Sequence, residues 1–426
     1  MKSLCDFKDE INKCSKCGLC QSVCPVFKET GNECAVSKGK FVMLDGVLKG
    51  DLKLNKNINK YLDMCLKCGK CKDFCPSGID VCRIFETAKY EYVKNSFWGK
   101  FVFFLESKFV KAAKQLGSAA KNLEDLRTGG QEGKLFNKSY LSEIMQTQQN
   151  KNGLSPYRPI ALSPSDKNPS TKLKLLYFPG CVGNIFPKTR EILKKIPDIE
   201  VIERDFDCCG MPFLSSGNLK RYEEVKKHNL ELMDCEFDYI LTDCASCEST
   251  LKYYFNRTQS APTLPSPIGE DNNTSSFPSG EGVQRTEGGF LETSCPTINF
   301  LSLGELIVKQ NIKFKSEKPV KVTFHKPCHM KNIDFIKPLF QNCENVEYVE
   351  MEGFDDCCGF AGEFALKNHK ISKSISDKKA QNIINTGADY VITCCPSCIL
   401  GLKQGLFGKK NAPKAMNLSE FLIKLF

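Results

Sequence analysis

Short runs centred on apolar residues alternate with helix-like stretches in two parts of the chain, residues 173–254 and 320–404. In the first part the runs lie at about Lys174–Phe178, Glu200–Glu203 and Asp238–Thr242. Runs of this length are typical of strands, and the three- to four-residue apolar spacing between them is typical of amphipathic helices. Because strands and helices alternate, the pattern predicts an α/β fold with a parallel sheet in each part.

The two parts also match each other in sequence. Three segments recur with offsets of 147, 149 and 151 residues. The pairs are Leu175–Cys181 with Val322–Cys328, Asp207–Gly210 with Asp356–Gly359, and Tyr239–Cys247 with Tyr390–Cys398. Such near-constant offsets indicate an internal duplication. We therefore predict two copies of one domain, at residues 173–256 and 298–426.

The rest of the chain divides by composition. Residues 1–92 predict a domain of short helices and loops, with one helix through Lys40–Leu48 where apolar residues recur every three or four positions. In residues 93–172 the sequence pattern predicts a helix at about Phe97–Leu116, and then a linker that is rich in Gly, Gln, Asn, Ser and Pro. Residues 257–297 are rich in Ser, Pro, Gly, Asn and Glu, which predicts a disordered insertion between the two copies.

The chain has 426 residues, 25 cysteines and a formal net charge of +10. Disulfide-rich secreted chains are short and start with an apolar signal segment, whereas this sequence leads directly into charged residues. It also has no run of about 18 apolar residues, as a membrane span would need. We therefore expect a soluble protein of the reduced cytoplasm. The lysines are scattered without a dense basic block, which argues against nucleic acid as a partner and leaves a modest attraction to acidic proteins or lipid headgroups.

One cysteine motif occurs twice near the N-terminus with identical spacing. It is the C-x2-C-x2-C-x3-C-P run of two-cluster bacterial ferredoxins, in which the fourth cysteine binds the other cluster. Three thiolates on one tight loop can hold three irons of a cubane, but the fourth ligand must come from elsewhere. We assign one [4Fe-4S] cluster to Cys14, Cys17, Cys20 and Cys75, and a second to Cys65, Cys68, Cys71 and Cys24.

Structural zinc is the alternative for these eight cysteines, because zinc sites also use paired C-x2-C. Zinc takes four ligands and gives no reason for the third cysteine, the offset fourth one and the proline, all of them repeated. Gly18 and Gly69 stand at matching places in the two loops, where the lack of a Cβ lets backbone N–H groups turn toward cluster sulfides. The motifs therefore favour a ferredoxin-like domain, α+β or α-helical, that holds two clusters.

In each of the two copies, cysteines follow the predicted strands. The carboxyl ends of parallel strands lie at one edge of a sheet, where ligands bind, so five thiols per copy are expected to converge. In the first copy they are Cys181, Cys208, Cys209, Cys244 and Cys247, and in the second copy they are Cys328, Cys357, Cys358, Cys395 and Cys398, with Cys394 adjacent. Adjacent cysteines before a glycine fit zinc poorly, because neighbouring side chains rarely both reach one tetrahedral ion. We favour a further iron–sulfur cluster, while zinc and a redox-active dithiol stay open.

Two ferredoxin runs followed by two CCG repeats resemble the iron–sulfur subunit of bacterial glycolate oxidase. The resemblance is carried by Tyr61–Cys68, Cys75–Gly78, Phe324–Cys328 and Cys357–Gly362. The same architecture occurs in the C subunit of anaerobic glycerol-3-phosphate dehydrogenase, and the lactate-utilisation iron–sulfur protein and heterodisulfide reductase B subunit share the CCG repeats. The 257–297 insertion departs from this pattern, and the full cysteine sets of both repeats move the chain toward the heterodisulfide reductase type.

The resemblance implies an electron-transfer subunit of a membrane-associated glycolate or 2-hydroxy-acid dehydrogenase. The sequence has no G-x-G-x-x-G after a strand and no Walker loop, so we expect the flavin on a partner chain and a quinone-type acceptor. The alternatives are heterodisulfide reduction at the CCG sites, a lactate or glycerol-3-phosphate dehydrogenase subunit, and a free-standing carrier. His325 and His329 flank Cys328 and are either structural or placed near a cluster or quinone. The aromatic stripe Phe101–Leu105 is either core or a peripheral contact with a membrane or partner.

Overall fold

The computed structural model describes residues 3–94, 172–180, 188–256 and 298–425. In these residues the chain forms a helical N-terminal part and two four-stranded parallel sheets, so the predicted α/β class with duplicated parallel sheets is confirmed. The predicted helix at Phe97–Leu116, the linker, the 257–297 insertion and Cys181 lie outside the described residues. Within the described ranges, none of the helices has both the length and the apolar character needed to cross a bilayer.

The N-terminal part, residues 3–94, consists of helices and loops without a strand. Gly18 and Gly69 start the second and sixth helices with φ angles of 85° and 76°, which glycine adopts without strain. Buried Phe41, Leu44 and Phe85 form part of the core between the longer helices. The helices are α1 (Lys8–Asn12), α2 (Leu19–Val23), α3 (Pro25–Thr30), α4 (Ser37–Lys49), α5 (Lys56–Asp63), α6 (Lys70–Asp73) and α7 (Val81–Lys94), with 3₁₀ turns at Leu4–Phe7 and Glu33–Ala35.

The first sheet has the strand order β2-β1-β3-β4, with all neighbours parallel. Helices connect its strands, as parallel pairing requires. Its elements are β1 (Leu173–Tyr177), α8 (Lys188–Leu193), β2 (Ile199–Glu203), α9 (Met211–Ser216), α10 (Leu219–Leu232), β3 (Tyr239–Leu241), α11 (Ala245–Asn256), β4 (Phe300–Leu301) and α12 (Leu303–Lys309).

The second sheet repeats this order as β6-β5-β7-β8, again with parallel neighbours. The equal strand order in both sheets agrees with the duplication predicted from the sequence offsets. Its elements are β5 (Phe314–Phe324), α13 (Ile336–Gln341), β6 (Cys343–Tyr348), α14 (Glu363–Lys367), α15 (His369–Ile384), β7 (Tyr390–Thr393), α16 (Pro396–Leu406), β8 (Lys414–Asn417) and α17 (Leu418–Leu422).

The fourth strand of the first sheet corrects one predicted boundary. Ile240 pairs with Phe300 and Leu241 pairs with Leu301, so β4 belongs to the first sheet although the sequence division puts residues 298–426 in the second copy. The first repeat therefore resumes after the 257–297 segment and includes α12. A strand of two residues is too short to show a period in the sequence, so pattern analysis assigned it to the nearer copy.

The two repeats pack against each other in a reciprocal way. Helix α8 of the first repeat contacts α17 of the second, and α12 of the first contacts α13 of the second. Leu193, Leu306, Leu339 and Phe421 from these four helices belong to one buried core shared by both repeats. This arrangement brings the carboxyl ends of the central strands together, and the N–H of Ala245 donates to the carbonyl of Cys394 at 3.0 Å.

Candidate iron–sulfur centres

The fourth cysteine of the first ferredoxin run lies beside the second run. Burial raises the pKa of Cys24, and the charge of Cys65 raises it further, so the two thiols are neighbours. Burial also raises the pKa of Cys71 to about 12, with Cys65 and Cys24 adding to the effect. Crossed ligation needs this proximity between residues that are more than 40 positions apart.

A cavity separates these thiols from one another. It is lined by the predicted inner set, Cys24, Cys65, Cys68 and Cys71, and by apolar side chains that include Val36 and Leu66. Burial raises the pKa of Cys20 as well, and the charges of Cys14 and Cys17 contribute, so the outer run is also drawn together. Cys75 and Cys14 pack against the same apolar core.

Three residues at the inner cavity were not predicted from the sequence. Cys82, in the first turn of α7, lines the cavity with Lys40 and Lys67. Burial raises the pKa of Cys82 well above its ordinary value, and Glu86 and Cys71 raise it further. Its spacing of seven residues after Cys75 was the only sequence signal for it.

Two lysines bring positive charge to the inner cavity. The Nζ of Lys40 is 3.2 Å from the carbonyl of Met64, to which it donates a hydrogen bond. Burial alone would raise the pKa of Cys65, but the charges of Lys40 and Lys67 outweigh it, so the pKa is lowered. Burial alone would lower the pKa of Lys67, but Cys65, among other acidic groups, outweighs it and the pKa is raised. Four thiols around a cavity with cations beside them fit a cluster that carries net negative charge.

The cysteines of the second repeat converge as predicted. The Cys357 thiol lies beside those of Cys328 and Cys358, and the Cys358 thiol lies beside that of Cys398. Cys398 in turn contacts Cys395. The contacts with Cys328 and Cys358 lower the pKa of Cys357 well below its ordinary value, whereas the contact with Cys357 raises the pKa of Cys358. Clustered thiols of this kind are the ligand type that iron–sulfur clusters use.

The glycine of the second CCG motif is required by close packing. Gly359 has φ 82°, and a Cβ at this position would lie 2.8 Å from the carbonyl oxygen of Ser372 and 2.9 Å from the Cβ of Ile375. Its N–H donates to the Sγ of Cys357 at 3.4 Å. The motif therefore places a backbone donor on a thiol, which is a contact that also suits cluster sulfur.

The first repeat brings together the predicted cysteines that the structure describes. The Cys209 thiol lies beside those of Cys208 and Cys247, and the Cys247 thiol lies beside that of Cys244. All four are buried. The fifth predicted ligand, Cys181, lies outside the described residues.

The sites of the two repeats are joined, although the sequence predicts a separate set in each. The thiol of Cys244 lies beside that of Cys395, and the two interact electrostatically. The Oγ of Ser246 is 3.7 Å from the Sγ of Cys395. On the other side, the charges of Cys68 and Cys357 interact, and burial followed by this interaction raises the pKa of Cys68. A continuous series of neighbouring thiols thus leads from the inner ferredoxin cavity through both CCG sites.

The two predicted histidines have different surroundings. The Nε2 of His329 is 2.9 Å from the carbonyl oxygen of Lys67, and its Nδ1 is 3.0 Å from the Oγ of Ser246. Since a carbonyl only accepts, Nε2 carries the proton and Nδ1 accepts from Ser246. His329 thereby links the N-terminal part to both repeats.

His325 is fully buried, and neither ring nitrogen has a hydrogen-bond partner among the described residues. One of its nitrogens and the thiols of Cys358 and Cys398 lie within 4.8 Å of one another. Burial lowers the pKa of His325 well below its ordinary value, so the ring is neutral and able to act as a ligand or donor.

A buried ion-pair network fixes the N-terminal part against the second repeat. The Nζ of Lys89 is 2.8 Å from Asp63 and 2.7 Å from Glu363, and Lys367 pairs with both acids at 2.8 and 2.7 Å. The Lys89 side chain is only 3% exposed and also donates to the carbonyl of Ser215 at 2.9 Å, in the first repeat. The network holds the inner cavity next to the CCG sites.

Comparison with protein families defines the class. Residues 10–79 match the 4Fe-4S dicluster domain, and residues 175–252 and 322–403 each match the cysteine-rich domain named after the CCG motif. The chain therefore combines a 4Fe-4S dicluster domain with two cysteine-rich domains. The predicted iron–sulfur cofactors are confirmed at this level.

Individual relatives extend the comparison. The probable glycolate oxidase iron–sulfur subunit of Bacillus subtilis (strain 168) is 23% identical over 448 residues, which cover 97% of this chain and 94% of that protein. A dihydromethanophenazine:CoB–CoM heterodisulfide reductase subunit of Methanosarcina acetivorans is 23% identical over 428 residues, or 93% and 89% of the two chains. Lactate utilization protein A of Bacillus cereus (strain B4264) is 25% identical over 260 residues, or 59% of this chain and 98% of that one. The predicted resemblance is confirmed, and the chain is an iron–sulfur electron-transfer protein of the oxidoreductase class.

Proposed function

We propose that this chain is the electron-relay subunit of a flavin-dependent 2-hydroxy-acid dehydrogenase, with glycolate as the substrate of the complex. It takes electrons from a flavoprotein subunit and delivers them to a quinone-type acceptor. The observation that carries the proposal is the series of neighbouring thiols from Cys68 through Cys357 to Cys395 and Cys244. Electron transfer between separate centres needs such short steps through the protein.

The residues divide into three sets of ligands. The outer cluster is held by Cys14, Cys17, Cys20 and Cys75, the inner cluster by Cys65, Cys68, Cys71 and Cys24, and the CCG centres by Cys181, Cys208, Cys209, Cys244, Cys247, Cys328, Cys357, Cys358, Cys395 and Cys398. When bound, iron–sulfur clusters accept and donate single electrons. The protein half-buries the inner set and Cys328, buries the other CCG cysteines that the structure describes, and supplies N–H donors such as that of Gly359.

The outer run is where the flavoprotein docks in this proposal. Cys17 is exposed, and Leu19 and Phe74 beside the two ends of the outer set are 49% and 57% exposed. Lys13 and Lys16 are exposed at the same loop. An apolar centre with basic neighbours suits an acidic partner surface. The complex would be cytoplasmic and peripheral on the inner face of the cell membrane, where a quinone is accessible.

A second candidate function is heterodisulfide reduction at the CCG sites themselves. The joined sites, with the Cys244 and Cys395 thiols in contact, favour it because a disulfide substrate needs two neighbouring redox groups. The heterodisulfide reductase relative, which covers 93% of this chain, also favours it.

Deletion of the gene tests the first proposal. Extracts should lose glycolate-dependent dye or quinone reduction while the flavoprotein is still made, and purification of the chain should bring a flavin-containing subunit with it. Loss of lactate or glycerol-3-phosphate oxidation, with glycolate oxidation intact, would assign the chain to a sister complex. Reduction of a heterodisulfide by the purified chain alone would establish the second function in its place.

A further inference from the structure

The two ferredoxin loops are close copies that place one lysine in different environments. Lys16 and Lys67 occupy the residue before the second cysteine of each run, and both have a left-handed backbone with φ of 59° and 55°. Lys16 is exposed. The Nζ of Lys67 is buried and has no hydrogen-bond partner among the described residues. The asymmetry therefore comes from what covers each loop rather than from the loop itself.

The cover of the second loop comes from the second repeat and from α7. His329 holds the Lys67 carbonyl at 2.9 Å, and Lys67 lines the inner cavity together with Cys65 and Cys82. Fixing the backbone at this point keeps the side chain inside. The Lys67 ammonium group interacts electrostatically with the thiols of the cavity and with the carboxylates of Glu86 and Glu363.

An ammonium group in such a place is unfavourable unless an anion accompanies it. The inner cavity is the place for that anion, because a [4Fe-4S] cluster with four thiolate ligands carries net negative charge and gains one more unit on reduction. A fixed positive charge nearby stabilises the reduced form more than the oxidised form. Lys67 is thus arranged to act on the redox equilibrium and not only on folding.

We propose that the buried Lys67 ammonium raises the reduction potential of the inner cluster above that of the outer cluster. This inference rests on the ligand sets proposed above. With both clusters bound, one electron would pass downhill from the exposed outer centre to the inner centre, whose ligand Cys68 lies beside Cys357 of the second CCG site. At the outer loop the Lys16 charge is screened by water and has a much smaller effect.

The experiment is a potentiometric titration of the reconstituted full-length chain, followed by EPR. Lys67→Met removes the charge with little change in length, Lys67→Arg keeps the charge, and Lys16→Met is the matched control at the equivalent exposed position. Lys67→Met should lower one midpoint potential by a tenfold change in the reduction equilibrium or more, which is about 59 mV for one electron. The midpoint potentials of Lys67→Arg should stay near those of the wild type. In Lys16→Met, any change in midpoint potential should be less than a third of the change in Lys67→Met.

Iron content decides how the result is interpreted. The proposal would be overturned if Lys67→Met keeps about eight irons in the dicluster domain and its midpoint potential changes no more than that of Lys16→Met. If Lys67→Met loses iron, Lys67→Gln replaces it, and if only Lys67→Arg retains the cluster then the ammonium has a structural role and the proposal is wrong. If Lys67→Met shows the expected fall in midpoint potential but the wild-type chain accepts no electrons from a hydroxy-acid flavoprotein, the proposed function is refuted while the inference about Lys67 stands.

Discussion

The thiols of Cys244 and Cys395 lie beside each other, although the two residues are equivalent positions of the two repeats and lie 151 residues apart in the chain. Each is the first cysteine of its C-x2-C motif. The reciprocal packing of α8 on α17 and of α12 on α13 brings them together, so the duplication produces one composite site rather than two independent ones. The contact raises the pKa of Cys244 and lowers that of Cys395.

The composite site predicts that a substitution in one repeat lowers the iron content of both CCG centres. Cys244→Ala should reduce the iron bound by both CCG centres. The first centre loses a ligand, and Cys395 of the second centre loses the thiol beside it. The measurement is iron content with EPR of the CCG signals, relative to the ferredoxin-type signals. Cys235→Ala is the matched control, since Cys235 is in the same repeat and outside the series of thiols. Loss confined to a single centre would mean that the repeats bind metal independently.

Local chemistry made much of the fold predictable. The predicted strand Lys174–Phe178 corresponds to β1, Leu173–Tyr177, and the predicted helix Lys40–Leu48 lies within α4. In both segments the apolar spacing reports the same face that tertiary packing buries. The ferredoxin loops were predictable for a similar reason, because three cysteines and a glycine within seven residues fix their own geometry.

Features that depend on how the parts pack could not be predicted. Lys16 and Lys67 have the same local sequence position and backbone, and only the cover by α7 and the second repeat distinguishes them. The pair Cys244 and Cys395 likewise depends on the relation between the repeats. Strand β4 is held by pairing with β3 and carries too few residues for a pattern.

Crossed ligation in the dicluster domain can be tested with three alanine variants. Cys24→Ala should lose the inner cluster and leave about four of eight irons, because Cys24 adjoins Cys65 and Cys71. Cys34→Ala, a half-buried cysteine outside the cavity, is the control and should keep all of them. Iron and sulfide analysis after anaerobic reconstitution gives the result. If Cys82→Ala loses four irons and Cys24→Ala does not, Cys82 is the fourth ligand instead.

The second CCG site is expected to be essential for delivery to the acceptor. Cys358→Ser should abolish quinone-coupled turnover while dithionite still reduces both ferredoxin-type clusters, because Cys358 lies between Cys357 and Cys398 in the series of thiols. Cys343→Ser is a suitable control, since the Cys343 thiol is buried in the same repeat and donates to the Leu339 carbonyl at 3.3 Å. Turnover at the wild-type rate in Cys358→Ser would show that electrons leave the chain before this site.

The ion pairs of Asp63 predict an acid-dependent loss of stability. Burial by itself would raise the pKa of Asp63, but the charges of Lys89 and Lys367 outweigh it, so the folded-state pKa is lowered. The carboxylate is then the form that the folded state favours. Its contribution is present above the unfolded-state pKa of about 3.9 and is lost as the pH falls through the lower folded-state value. The melting temperature of the wild-type protein should therefore fall steeply below about pH 4.

Asp63→Asn tests this assignment. At neutral pH the variant should be less stable by about 3–5 kcal/mol, because it removes one of the two carboxylates that compensate the charge of the buried Lys89. The difference from the wild type should shrink as the pH falls from about 4 through the lower folded-state pKa, because the carboxyl group takes up its proton first in the unfolded state. Glu248→Gln breaks the more exposed pair with Lys252 and should cost no more than about 1 kcal/mol at any pH. Parallel melting curves for Asp63→Asn and wild type across the acid range would show that the network contributes nothing through charge and that Asp63 acts only by packing.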